Sequence, residues 1–391
     1  MVSLCCLSSL FHPLFLLILW GSSVATSDYD DYSHEEESND TEFSDQILCP
    51  RSFPGEVRIT NNKTSLYISP SSQGHLRSPI TVLFIPLIYT LVFLVGLPCN
   101  GLAFWVFATR IKKMTSTVFL MNLAAADLML VLTLPFKISY YFLGNNWIFG
   151  EVLCRTVTCF FYANMYCSVL LLMSISVDRY LAVVHPFFSR TFRSKTFAVC
   201  MCTASWLIAF LSIIPLAVMR QSYPLSKTDL TLCHDGLPRQ EQMEYFFYYF
   251  MCLVIFGFLL PLAIIIFCYV SVIQVLMVNE KKYGYALKLT SLVLVIVLVF
   301  LTPSNVVLLI HYSDSCLHIY GDLYSVYMIC LAISSLNSCV DPFVYYYVSD
   351  EFRDKVRRQF RKSPKTSITS LKTTKEVIPA SGSASHSRSV L

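Results

Sequence analysis

Charge is scarce in this chain. Only 14% of its 391 residues are Asp, Glu, Lys or Arg, against about 25% in soluble domains. With 55% hydrophobic residues and a mean hydropathy of +0.58, a single water-soluble core is excluded, and most faces must meet lipid. No nucleophile–base pair stands out: His185 and His311 read as loop and helix-end residues, so no enzyme is expected. An inverted repeat and broken helices are lacking too, which argues against a transporter or channel. The n-region has no Lys or Arg. Even so, the apolar run Leu10–Trp20 with small residues at Ser23 and Ala25 reads as a signal peptide over 1–25, cut after Ala25.

Seven apolar stretches are present. They fall near 80–108, 116–143, 151–184, 196–219, 245–276, 284–312 and 320–348, each long enough to cross about 30 Å of hydrocarbon. The fold class is therefore an all-α, seven-helix membrane bundle over 80–348. A short amphipathic helix and a disordered tail follow over 349–391. The net charge of +4 conceals an asymmetry: acids crowd Asp28–Asp45, and bases crowd alternate loops and the tail. This split carries no nucleic-acid signal. Arg110, Lys112, Lys113, Arg190, Arg193, Lys195, Lys281, Lys282 and the basic run after the last span lie in cytoplasmic loops by the positive-inside rule, which puts the N-terminus outside.

The outer segment before the bundle is polar, first acidic and then rich in Ser, Thr and Asn, and is expected to be disordered. It carries glycosylation sequons at Asn39 and Asn62. Of the 15 cysteines, most fall in spans. Cys49, Cys154, Cys233 and Cys316 face the oxidising exterior, with the pairing open at this point.

Polar side chains inside a bilayer are costly and mark function. Here they are Asn100, Asn122, Asp127, Asn164, Ser168, Asn337, Ser338 and Asp341, and Asp178-Arg179-Tyr180 ends the third span. Prolines punctuate five spans at Pro135, Pro215, Pro261, Pro303 and Pro342. With Leu123-Ala124-Ala125-Ala126-Asp127, Trp206, Pro261 with Tyr269, and Asp341-Pro342-Phe343-Val344-Tyr345 in order, the chain resembles the rhodopsin-like G-protein-coupled receptors over about 80–360. The resemblance implies several roles. Arg179 would release from Asp178 and meet the G protein beside Tyr180, and Tyr269 and Tyr345 would swing in to support the active state. Asp127, Asn164, Ser168, Asn337, Ser338 and Asp341 would line a pocket for an allosteric sodium ion, with Asp127, Ser168 and Asp341 as ligands; no other cofactor is expected. The hard cation suits two carboxylates and neutral oxygens. A Cys154–Cys233 disulfide is implied as well. One departure is Leu301, where the class usually carries Trp.

The outer segment holds Pro50-Arg51-Ser52-Phe53-Pro54-Gly55-Glu56-Val57. A lone Arg there is a trypsin-type site, and the preceding Pro narrows the choice toward thrombin-like enzymes. Together with Cys233-His234-Asp235, Asn145-Asn146-Trp147 and Leu134-Pro135-Phe136-Lys137, this resembles the protease-activated receptors. That resemblance implies cleavage between Arg51 and Ser52 by a serine protease, thrombin or trypsin-like, with loss of 26–51. Ser52, Phe53, Pro54, Gly55, Glu56 and Val57 would then act as a tethered agonist within 52–79. It implies heterotrimeric G proteins of the Gq and G12/13 groups and arrestin as partners. A flexible chain of about 28 residues spans roughly 29 Å, enough to reach the top of the bundle. His234 and Asp235 are expected to receive the new amine and backbone, with Phe53 near Tyr312 and Tyr324. The rival is a receptor for a free peptide, such as a chemokine, with Arg51 incidental.

Overall fold

The structure is a computed structural model that describes residues 53–60, 63–68, 70–111, 114–238, 247–278, 280–312 and 323–361. Seven of its helices are long and apolar enough to cross a membrane: α1 (Ser72–Thr109), α2 (Thr115–Phe142), α3 (Gly150–Val184), α4 (Lys195–Ser212), α5 (Tyr248–Met277), α6 (Tyr283–Leu309) and α7 (Tyr324–Tyr346). An eighth, α8 (Asp350–Arg361), follows. Helix is the only open-chain form that satisfies its own backbone in hydrocarbon. The expected spans are all recovered, with two shifts. Helix α1 starts earlier, because Pro70–Leu76 is already helical and a π turn at Ile80–Phe84 carries the chain on. Helix α4 ends earlier, at Ser212, and a separate turn of helix runs from Ile214 to Val218. Pro215 explains that break: it has no N–H for the Leu211 carbonyl, and its ring crowds the preceding turn.

Proline also explains a tie through the bundle centre. Pro342 leaves the carbonyl of Ser338, four residues back, without its helical donor. The Asn100 amide fills the gap, donating to Ser338 O at 2.7 Å and stapling α1 to α7. Helices α2 and α4 are tied by Trp206 Nε1 donating to Asn122 Oδ1 at 3.1 Å. Beyond the bundle, Ser349 Oγ caps α8 by accepting from Phe352 N at 3.2 Å. Phe352 is buried against Phe107, with ring centroids 4.8 Å apart.

The expectation of disorder ahead of the bundle is corrected for the described part of the outer segment. Strands β1 (Phe53–Thr60) and β2 (Lys63–Tyr67) form an antiparallel hairpin pairing Val57 with Leu66. The loop between α4 and α5 supplies β3 (Ser222–Pro224), β4 (Thr231–Cys233) and β5 (Gly236–Pro238). Strand β5 runs parallel to β1, giving the sheet order β2–β1–β5. Composition alone misled here: Phe53, Leu66 and Ile68 are fully buried, and these few apolar side chains fix a hairpin that its Ser, Thr and Asn neighbours would leave unfolded.

Candidate functional site

The outer site is built on a pinned loop. Cys154, near the start of α3, is disulfide-bonded to Cys233 at the end of β4, with Cα atoms 5.8 Å apart. Glu151, one turn before Cys154, accepts from Gln221 N at 2.8 Å and Ser222 N at 2.7 Å through its two carboxylate oxygens. These contacts hold the β3–β4 ribbon over the bundle and leave β5 as an open edge. Phe53, Pro54 and Gly55 pair there with Gly236, Leu237 and Pro238. The Phe53 amide donates to Asp235 O at 2.7 Å. The Phe53 side chain is fully buried, its ring 4.2 Å from Tyr324 and 6.5 Å from the His75 imidazole.

The expected neighbours of this segment are partly brought together. Asp235 meets it through its carbonyl, while its carboxyl turns into the bundle. There Oδ2 accepts from Tyr140 OH at 2.8 Å, and the Tyr324 hydroxyl faces the same group. Burial pushes the Asp235 carboxyl up to about 6; nearby Lys137 and the two tyrosine hydroxyls limit the rise. His234 braces the loop: Nδ1 sits 2.6 Å from Gln221 Oε1, and the ring packs edge-on to Tyr162. Tyr312 ends its helix, and its side chain lies outside the described set. Arg51, Ser52, Asn39, Asn62, Cys49 and Cys316 also lie outside the described residues, as does the tail beyond Arg361. Sequence reasoning missed Glu151, Tyr140 and Leu66 as parts of this site. An acid in the first turn of α3 was the available signal for Glu151; a lone Leu in a polar stretch offered none.

The structure brings polar side chains of α2, α3 and α7 together in the bundle. Ser338 Oγ donates to Asp127 Oδ1 at 2.8 Å, and Tyr345 OH donates to Oδ2 at 3.4 Å. Asn337 Nδ2 donates to Asp341 Oδ2 at 2.9 Å, and Asn164 Nδ2 to Ser168 Oγ at 3.3 Å. Asp341 stands beside Asp127. Among the described residues the buried Asn337 Oδ1 has no hydrogen-bond partner, and a small cavity touches Asn164, Ser168, Asn337 and Ser338. Two carboxylates, hydroxyls and an unsatisfied amide oxygen fit a hard monovalent cation by donor chemistry. No group of three or more His, Cys, Asp or Glu that could hold a metal occurs among the described residues.

At the other end of α3, Asp178 and Arg179 are apart from one another. The Asp178 carboxylate accepts from Arg193 Nε at 2.6 Å and Arg193 Nη2 at 2.9 Å, so its ion-pair partner is Arg193 in the following loop. That fork matches the planar geometry of guanidinium and carboxylate. Arg179 instead lines a cavity of about 320 Å³ together with Tyr269, Tyr345, Leu276 and Val293. Tyr180 hydrogen-bonds His185 Nε2 at 3.0 Å. Leu301, in the place of the usual Trp, is buried in a π stretch, Val297–Leu301.

Residues 99–345 match the 7 transmembrane receptor (rhodopsin family) profile. The chain is 44% identical to proteinase-activated receptor 4 of Homo sapiens over 92% of this chain and 94% of that protein. It is 43% identical to proteinase-activated receptor 3 of Homo sapiens over 78% of this chain and 79% of that protein. It is 39% identical to proteinase-activated receptor 2 of Homo sapiens over 86% and 87%. These relatives are receptors and not enzymes, and a seven-helix bundle of this kind is a multi-pass protein of the plasma membrane. The chain belongs to the rhodopsin family of G-protein-coupled receptors and, within it, to the proteinase-activated receptors.

Proposed function

We propose that a serine protease, thrombin or a trypsin-like enzyme, cuts this receptor between Arg51 and Ser52 on the outer face of the membrane. The new N-terminus from Ser52 to Val57 is its tethered agonist. The observation that carries this reading is the seating of Phe53–Gly55 as a strand on β5, with Phe53 fully buried against Tyr324. A covalent tether supplies an effective concentration of about millimolar order, so modest contacts suffice. Ser52 gains an α-amine that is mostly charged at neutral pH, next to the residue that binds the Asp235 carbonyl. Signalling runs through Gq and G12/13 to calcium, with arrestin ending it. Cells expressing wild type should release calcium to thrombin and to the free Ser-Phe-Pro-Gly-Glu-Val peptide, and Arg51→Ala should answer the peptide alone. If Arg51→Ala answers thrombin as wild type does, cleavage there is not the switch, and a free-peptide receptor becomes the better reading.

The same reading gives Asp127, Asn164, Ser168, Asn337, Ser338 and Asp341 a sodium-holding role that favours inactive packing. It is supported by the unpartnered Asn337 oxygen beside two carboxylates. Replacing sodium by choline in the medium should raise agonist affinity several-fold in wild-type membranes and leave Asp127→Asn unmoved. An equal response in both would remove the ion from the mechanism.

A further inference from the structure

We infer that Leu66, on β2, is a wall of the agonist site that reads the fourth residue of the agonist by size. The inference rests on the tethered-agonist reading above. In the sheet, β1 lies between β5 of the loop and β2 of the chain's own outer segment. Leu66 is fully buried at the point where all three meet. A Cβ placed on Gly55 would lie 2.5 Å from Leu66 Cγ, 2.7 Å from Cδ1 and 2.9 Å from Cδ2. A Cβ on Gly236 would lie 3.0 Å from Leu66 Cδ2. The backbone of Gly55 is not in the left-handed region that demands glycine. The constraint at position 55 is therefore the Leu66 side chain and not backbone strain.

Leu66 does not simply travel with the agonist. Its carbonyl accepts from Ser226 N at 2.8 Å, and Ser65 Oγ meets Ser226 Oγ at 2.7 Å. Strand β2 is thus fastened to the loop between α4 and α5 independently of β1. The receptor holds the agonist between a disulfide-pinned strand on one side and a strand of its own N-terminal segment on the other. An agonist that fits has no side chain at its fourth position. The three atoms that would collide with Ala at position 55 are the ones that Leu66→Ala removes.

A size-complementation cycle tests this. Wild type, Gly55→Ala, Leu66→Ala and Gly55→Ala/Leu66→Ala are expressed to matched surface levels, and the calcium response to thrombin is read. Gly55→Ala should lose about tenfold or more in potency, on the order of one core misfit, and Leu66→Ala several-fold. The double variant should respond better than Gly55→Ala and no worse than Leu66→Ala. A double variant as poor as Gly55→Ala, or a Gly55→Ala receptor of wild-type potency, overturns the inference. A second measurement does not need the Leu66 variant to fold. On the Arg51→Ala receptor, Ser-Phe-Pro-Ala-Glu-Val should be at least about tenfold weaker than Ser-Phe-Pro-Gly-Glu-Val; equal potency also overturns it. Failure of the tethered-agonist reading looks different: wild type would then not answer thrombin through Arg51 at all.

Discussion

Asp235 is a buried acid whose carboxyl is pushed up to about 6 by loss of water, which places its titration within reach of mildly acidic media. A raised carboxyl favours the neutral form in the fold. Its contribution to stability is full below the ordinary carboxylate range and falls as pH rises toward about 6. Acidification through this window therefore does not weaken the fold through Asp235. Binding of a cationic N-terminus responds in the opposite direction, because protonation removes a negative charge from the loop that seats Phe53, although the carboxyl itself faces Tyr140 and not the agonist. Free-peptide potency on wild type should fall several-fold between pH 7.4 and 5.5. Asp235→Asn should be weaker at pH 7.4 and nearly flat across that window; a parallel pH profile in both would assign the dependence to other groups. At this scale the sequence was only partly readable. The Phe53–Tyr324 contact could be anticipated because an aromatic agonist residue seeks an aromatic lining, and Cys233 marks where the loop is anchored. Leu66 could not be anticipated, since its value comes from contacts with Gly55 and with Leu225 and Ser226, more than 150 residues along the chain. No local pattern encodes such a contact.

Among the elements, the spans were legible because lipid imposes a length and a composition on every one of them. What escaped was where helices deviate. Ending α4 at Ser212 needed the Pro215 argument, and the π turns in α1, α5 and α6 have no periodic signature. The loop ribbon was the least visible element, since its strands are three residues each and exist only because they are anchored at both ends. Its anchors include the disulfide, the hydrogen bonds of Thr231 with Trp147 and Asn146, and Glu151, whose two oxygens each take a loop amide. Glu151→Gln keeps one acceptor, turns the other into a donor facing an N–H, and takes from the buried Arg155 the carboxylate it is paired with. Leaving a part-buried amide unsatisfied costs about 1–3 kcal/mol. Local loosening of β3 should appear as faster hydrogen exchange at Gln221 and Ser222. Agonist potency should drop about tenfold, with the receptor still folded and at the surface. Unchanged exchange in that segment would show that the ribbon does not depend on Glu151.

Across the whole molecule, the Asp127 cluster is joined to the cavity that Arg179 lines. Tyr345 takes part in both, bonding Asp127 and lining the cavity with Arg179. The family resemblance implies that Arg179 meets the G protein, and the Asp178–Arg193 pair stands beside it in the chain. Asp178 is only 2% exposed and Arg193 28%, so the carboxylate is nearly dry and needs a cation. While Arg193 supplies it through two hydrogen bonds, Asp178 makes no demand on the adjacent Arg179. Removing Arg193 leaves a buried carboxylate in need of a cation, a loss worth several kcal/mol where no substitute exists, and re-pairing with Arg179, the next residue in the chain, is the expected response. Re-pairing recovers part of that at the expense of the open cavity. Arg193→Ala should therefore lower agonist-stimulated nucleotide exchange on the G protein by roughly tenfold, with peptide binding in the absence of G protein little changed. Arg193→Lys, which restores the charge but not the fork, should fall between. If exchange is unaffected in Arg193→Ala, the pair is only a loop anchor, and Arg179 is held in the cavity by its other contacts.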